Sequence, residues 1–214
     1  PADMLEQLVA CRRERRAVAY VVDLDSGARE LVRDGYADRF RMDRSGFEGE
    51  GRVFVAIHNP PLRMLIVGAV HIAQALVSMA RTVGYDPILI DPREAFGSQA
   101  RFPGERILHD WPDEAIAKLG LDARTALVLL THDPKLDDPA LEAALRSDVF
   151  YIGALGSGRT HGKRVERLAA KGFSGGEIGR IHGPVGLDIG AAGPSEIALS
   201  VLAQATAILR GKHG

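Results

Sequence analysis

The sequence predicts an α/β protein: a Rossmann-like, doubly wound, mainly parallel sheet preceded by a small N-terminal α+β part. Three observations carry this. From Arg63 onward, short apolar runs alternate with single helical stretches, and the first of these runs is near-continuous, as in strands covered on both faces. Several runs exit into turns rich in glycine or in Asp and His, directly before a helix, where such sheets bind ligands. Upstream the pattern is strand, turn, strand, and Asn59-Pro60-Pro61 breaks it, because proline cannot continue a sheet interior. The expected regions are therefore 1–60, a small helix-and-strand part, and 61–214, the Rossmann-like domain.

Residues 3–16 fit an amphipathic helix with Met4, Leu5, Leu8 and Val9 on one face. Its basic end, Arg12-Arg13-Glu14-Arg15-Arg16, reads as a solvated helix face, lacking the length and aromatic interleaving of a nucleic-acid tail. Residues 17–24 fit a strand, Asp25-Ser26-Gly27 a turn, and 29–33 its hairpin partner. Residues 34–51 hold four glycines and many charges and are expected to be mostly loop. Residues 52–58 fit another strand. About sixty residues bury little core alone, so this part is expected to pack on the rest or on a second protomer.

In the second region, 63–68 and 87–91 fit strands joined by a helix over 72–84. A short strand is expected at 105–109, and a helix at 112–119 that starts on a proline. Residues 125–131 fit a strand, and 139–146 a helix with Asp138 as its cap. Residues 149–153 fit a strand, followed by a glycine turn and a helix over 160–171. The last helix is expected over 194–210.

Composition bounds the function. The 214 residues are 46% hydrophobic and 26% charged, with a formal net charge of -1, so there is no general pull toward nucleic acid or an anionic membrane. One cysteine, Cys11, supplies neither a disulfide framework nor a four-ligand zinc site and fits a reducing compartment. No apolar stretch approaches ~18 residues. Residues 1–7 lack the form of a signal peptide, so the expected location is cytoplasmic.

Candidate chemistry sits at the strand exits. Gly68-Ala-Val-His-Ile-Ala73 occupies the place of a dinucleotide fingerprint, with Val70 where a second glycine would let backbone approach a pyrophosphate. His71 opens the following helix, either to contact a ligand or to bond the turn. Asp91 follows Gly68 at about the twenty-residue interval of an acid that binds a ribose diol, and Arg93 follows; a turn role is the alternative. Arg101-Phe-Pro-Gly104 puts a cation in a loop, which alone means little. Thr131-His132-Asp133 offers an acid–base pair or part of a metal site, whereas Asp137 and Asp138 read as helix-start residues.

The next exit is Tyr151-Ile-Gly-Ala-Leu-Gly-Ser-Gly-Arg-Thr-His-Gly-Lys-Arg164. Gly153, Gly156 and Gly158 permit close backbone approach, and Ser157 or Thr160 can cap the helix. Donors follow at Thr160 and His161, and Arg159, Lys163 and Arg164 can meet a phosphate. A packing turn with a solvated basic helix is the plain alternative. The chain has no G-x-x-x-x-G-K-[ST] and no Gly-x-Ser-x-Gly elbow, so an ATPase-type loop and a serine hydrolase are unsupported.

Taken together, Asn59 to His71, Asp91-Pro-Arg93, Arg101-Phe-Pro103, Leu130 to Leu141, Tyr151 to Ser157 and His182 to Ala191 resemble, in this order, the XdhC/CoxI family of xanthine dehydrogenase accessory proteins. The resemblance covers roughly residues 59–210. It implies a non-catalytic carrier that binds the molybdenum cofactor, as molybdopterin or its dinucleotide form, holds it for sulfuration and passes it to an apo molybdenum hydroxylase. A cysteine desulfurase partner and a homodimer belong to the same expectation. The implied cofactor-binding set is Gly68, Val70, His71, Asp91, Arg93, Thr131, His132, Asp133, Gly153, Gly156, Ser157, Arg159, Thr160, His161 and Arg164, with metal ligands unassigned. Two readings from the residues stay beside it: an NAD(P)-dependent oxidoreductase with His71 or His132 in proton transfer, and an interaction module with a vestigial nucleotide site.

Overall fold

The computed structural model describes residues 2–212 of the chain, which divides after Pro60 into two compact units. The first unit begins with helix α1 (Ala2–Arg13) and builds a four-stranded antiparallel sheet from β1 (Val18–Asp23), β2 (Arg29–Val32), β3 (Gly46–Glu48) and β4 (Val53–His58), in the order β2-β1-β4-β3. The β1–β2 turn is set by Asp23, whose Oδ1 accepts the N–H groups of Asp25 and Ser26 at 3.0 and 2.8 Å, and by Gly27 at φ 72°.

Residues 34–51, expected to be mostly loop, contain helix α2 (Ala37–Met42) as well as β3. The reason lies in Tyr36 and Phe40, spaced to share one helix face, which pack on the small core of Ala19, Val21 and Val55. The helix end is tied down by Asn59, whose Nδ2 donates to Phe40 O at 2.7 Å and to Asp43 Oδ1 at 2.6 Å.

The second unit holds a six-stranded sheet of β5 (Leu62–Val67), β6 (Tyr85–Ile90), β7 (Ile107–Leu108), β8 (Thr125–Leu129), β9 (Tyr151–Ala154) and β10 (Ile181–His182). Every ladder is parallel, and the order is β10-β9-β8-β5-β6-β7. Helices α3 (His71–Thr82) and α8 (Pro194–Leu209) cover one face; α4 (Pro112–Leu119), α5 (Pro134–Leu145) and α6 (Gly158–Ala170) cover the other, with the short α7 (Gly175–Ile178). Strand alternation sorts the core. Met64 and Ile66 face Leu76 and Val201, while Leu65 and Val67 face Ala115, Leu141 and Leu168. Both faces of β5 are thus buried, which is why its sequence is apolar apart from Arg63, whose guanidinium is bonded to Leu119 O, Gly120 O and the Thr125 hydroxyl; each buried Leu or Ile contributes about 1.5–3 kcal/mol. This is the expected Rossmann-like fold.

One helix start differs from expectation. α5 begins at Pro134 rather than Pro139, and its cap is Asp133, whose side chain accepts Lys135 N–H at 2.9 Å, not Asp138. Pro134 takes the first helical position, where a missing N–H is harmless, and Pro139 is then carried inside the helix at the loss of one backbone bond. Strand β10 and helix α7 were not expected; two and four residues carry too little periodicity.

Candidate functional site

The strand order makes neighbours of the exits of β9, β8, β5 and β6, with the switch point between β8 and β5. At β5 the chain turns through Gly68 at φ 103°; a Cβ there would lie 2.7 Å from Thr131 Cγ2, so the turns after β5 and β8 pack on each other. Val70 then sits half-buried at the cap position of α3 without a capping side chain, and His71 is exposed at the helix start.

Asp91 at the β6 exit is fully buried. Its Oδ2 accepts Ala69 N–H and an Arg93 guanidinium N–H, each at 2.8 Å; its Oδ1 accepts the Arg93 backbone N–H at 3.0 Å and Nε–H at 2.8 Å. Burial pushes this carboxyl up, but the Arg93 and Ala69 donors outweigh it and hold it below the ordinary carboxylate range. Both oxygens are therefore engaged inward, where a ribose-binding acid would face outward. The Arg93 guanidinium is raised by the same bond and lies 4.3 Å over the Phe96 ring. Arg101 adds a second brace that its sequence context gave no reason to expect: its Nη1 donates to Ala69 O and Phe96 O, each at 2.7 Å.

At the β8 exit the Thr131 hydroxyl donates to Asp137 and accepts Asp133 N–H at 3.2 Å. His132 is exposed in the left-handed region at φ 62°, and Asp133 is occupied as the α5 cap. Asp137 and Asp138 do lie early in α5, but both are buried rather than solvated. Asp138 takes Arg167 at 2.7 and 2.8 Å, a two-pronged pair.

At the β9 exit Ser157 caps α6 by accepting Thr160 N–H at 3.2 Å. The glycines serve the protein's own packing. A Cβ on Gly153 would lie 2.5 Å from Val185 Cγ2 and 2.7 Å from the Tyr151 hydroxyl, and one on Gly156 would lie 2.9 Å from Thr160 Cγ2. Gly183 likewise leaves room for the His161 ring, whose Nδ1 would be 2.2 Å from an added Cβ. Burial, with Arg164 alongside, holds His161 below its ordinary value, so its Nδ1 stands as a neutral neighbour of Arg164 Nη1 at 3.5 Å.

Between the start of α5 and the first turns of α6 lies a cavity of about 270 Å³ lined by His132, Pro134, Asp137, Arg159, Thr160, Lys163, Arg164 and Arg167. Arg164 and Asp137 are its buried members, each 2% exposed. One Nη2 bond goes to Leu155 O at 2.9 Å; Asp137 Oδ2 stands 3.9 Å away, beyond hydrogen-bond reach; and the buried Nε finds no acceptor among the described residues. Burial pulls the Arg164 guanidinium down and pushes the Asp137 carboxyl up.

The structure thus brings His132, Arg159, Thr160 and Arg164 of the expected set together. Asp137 and Arg167 join them, and Gly68, Val70, His71, Asp91 and Gly153 lie outside this cavity. The cue for Asp137 was its place in the stripe of Leu141 and Ala144, which marks it as facing inward. At about the lower limit of ligand pockets, the cavity suits a phosphate and the group attached to it rather than a whole dinucleotide. No group of three or more metal-ligating side chains occurs among the described residues.

The sequence matches the XdhC Rossmann domain over residues 64–205. The chain belongs to the XdhC family. Among its relatives, it is 35% identical over 165 residues to the molybdenum cofactor insertion chaperone PaoD of Escherichia coli K12, covering 77% of this chain and 45% of that protein. It is 28% identical over 159 residues to a probable xanthine dehydrogenase subunit of Bacillus subtilis 168, covering 74% of this chain and 46% of that protein. The crystal structure of a xanthine dehydrogenase from Bacillus halodurans matches 99% of this chain and 65% of its own, with a TM-score of 0.71 and 25% identity. The chain spans under half the length of the two named relatives. The XdhC match takes in every strand exit described above, so the cation-lined cavity is part of the XdhC domain itself. No described helix is long and apolar enough to cross a membrane.

Proposed function

We propose that this XdhC domain binds the molybdenum cofactor as cargo and assists its insertion into an apo molybdenum hydroxylase of the xanthine dehydrogenase type, without catalysing a reaction of its own. The observation that carries this reading is Arg164: a buried guanidinium whose Nε–H has no acceptor among the described residues, in a cavity that also holds Arg159, Lys163 and Arg167. Such a set fits the phosphate that the pterin cofactor bears, whether as molybdopterin or as a dinucleotide. PaoD's description as a cofactor insertion chaperone supports the same class of cargo.

The geometry divides the work. Arg164 anchors from inside, while Arg159 and Lys163 are exposed and attract the anion from solvent. A cargo protein must also release, and exposed cations give attraction without a fully desolvated grip. The braced turns at Gly68 and Asp91 hold the rest of the sheet edge rigid beside the cavity. The inward commitment of Asp91 favours this carrier over a nicotinamide oxidoreductase, which would use that acid on a ribose. Retention during sulfuration, with a cysteine desulfurase as partner, and a cytoplasmic homodimer complete the proposal.

The test is reconstitution. Cofactor-loaded protein is mixed with apo-hydroxylase under anaerobic conditions, and recovered hydroxylase activity is followed. Activation faster than with an equal amount of free cofactor supports the role; equal rates with and without the chain refute it.

A further inference from the structure

We propose that the cavity between α5 and α6 takes a doubly charged tetrahedral oxyanion, such as the phosphate end of a phosphomonoester, in exchange for the Asp137 carboxylate, with one proton taken up as the anion enters. This deepens the carrier reading for the same cavity and rests on its being an anion site.

Arg164 carries a donor that the fold leaves unsatisfied among the described residues. A guanidinium offers five N–H donors in a fixed fork. Here it is buried, makes one bond of 2.9 Å to Leu155 O, stands 3.5 Å from His161 Nδ1, and leaves Nε without an acceptor among the described residues. Its counter-charge, Asp137, is 3.9 Å away and already holds the Thr131 hydroxyl. Asp137 balances the charge of Arg164 without satisfying its donors. An oxyanion can do both, because its oxygens match the fork.

The two anions cannot both stay charged on one buried guanidinium. The groups facing Asp137 are Thr131 and His132 from the β8 exit, Asp133 and Asp138 on its own helix, and Arg159, Lys163, Arg164 and Arg167 from α6; Arg93 at the β6 exit also feels its charge. Arg167 is committed to Asp138, and Asp133 to the helix cap. When the oxyanion takes Arg164, Asp137 loses its principal cation and gains an anionic neighbour, and both changes favour the neutral acid. The neutral acid has an O–H to donate, which makes it a further ligand for the anion. Burial already pushes Asp137 in this direction, so the exchange is poised.

The linkage has a sign. Binding that takes up a proton weakens as pH rises above the titration of the free Asp137 carboxyl. His132 also lines the cavity, so variants must separate the two. The probe is inorganic sulfate, a dianion across the working range, titrated calorimetrically into the full chain at constant ionic strength, in buffers of different ionisation heat. Between about pH 5.5 and 8, wild type is expected to lose affinity as pH rises, with proton uptake approaching one per anion between the titrations of the free and the anion-bound Asp137. Asp137→Asn is expected to bind sulfate more tightly at the upper end of this range, by about the fold-change that wild type loses as pH rises, and to lose most of the uptake. Arg159→Ala, an exposed change that leaves the Asp137–Arg164 pair intact, is expected to bind more weakly and keep the uptake, which keeps the test open if the Asp137 variant unfolds. The proposal is overturned by no sulfate binding, by uptake that persists in Asp137→Asn and vanishes in His132→Gln, or by weaker binding in a folded Asp137→Asn. No pterin is used, so this result and the reconstitution result fail independently.

Discussion

Asp91 and Arg93, two residues apart, clasp each other through parallel hydrogen bonds of 2.8 Å while the same carboxylate takes the Ala69 N–H at 2.8 Å from the neighbouring turn. A pair local in sequence therefore ties two adjacent strand exits together. The acid that an NAD-binding reading would aim at a ligand is instead a strut of the platform.

Replacing Asp91 with Asn should remove the charge-assisted half of that strut. Loss of a buried, hydrogen-bonded charge partner costs about 2–4 kcal/mol. Because the Asp91 carboxyl is held below its ordinary value, its stabilisation is fully present above the ordinary carboxylate range and is lost as pH falls through the depressed value. Urea unfolding at neutral and acidic pH should show a large difference between wild type and variant at neutral pH that narrows in acid. A constant difference would contradict the assignment.

Gly153→Ala isolates the packing role of the glycine turn. The backbone there needs no positive φ, but the added methyl would lie 2.5 Å from Val185 Cγ2 and 2.7 Å from the Tyr151 hydroxyl. Overpacking of this kind costs about 1–3 kcal/mol. Denaturation should report that loss, while sulfate binding in the cavity stays near wild type, since Gly153 does not line it.

The exposed rim should behave in the opposite way. Arg159→Ala and Lys163→Ala should each leave unfolding within about 0.5 kcal/mol of wild type. Each should weaken anion or cofactor retention by roughly 1.5–3 kcal/mol, the range for a lost charged hydrogen bond. The penalty should shrink as salt is raised, because these groups face solvent. Equilibrium dialysis at two salt concentrations checks both statements.

These contrasts show which features a sequence displays. The parallel sheet was legible because β5, β6 and β8 are mostly apolar runs that exit into turns, with single helices between the strands. Helix α2 was hidden by the charges around it, although Tyr36 and Phe40 were spaced to reveal it. The start of α5 was misplaced because two prolines competed for the first helical position and only the fold shows that Pro139 is tolerated inside. The basic residues after the glycine turn were visible in the sequence, and several of them do line one cavity. Their meeting with Asp137 was not, because Asp137 and Arg164 come from different strand–helix units and convergence in space leaves no local spacing. The packing partners of the glycines were not legible either: the space a side chain would take at Gly68, Gly153 and Gly156 is occupied by Thr131, Val185 and Thr160.

The most direct test of the central claim is the pterin content of the protein purified anaerobically from cells that make molybdenum cofactor, read as fluorescence of the oxidised, released pterin per chain. A near-stoichiometric signal is expected in wild type and a strongly reduced one in Arg159→Ala and Lys163→Ala of unchanged stability. No pterin in wild type, even after incubation with supplied cofactor, would contradict that claim.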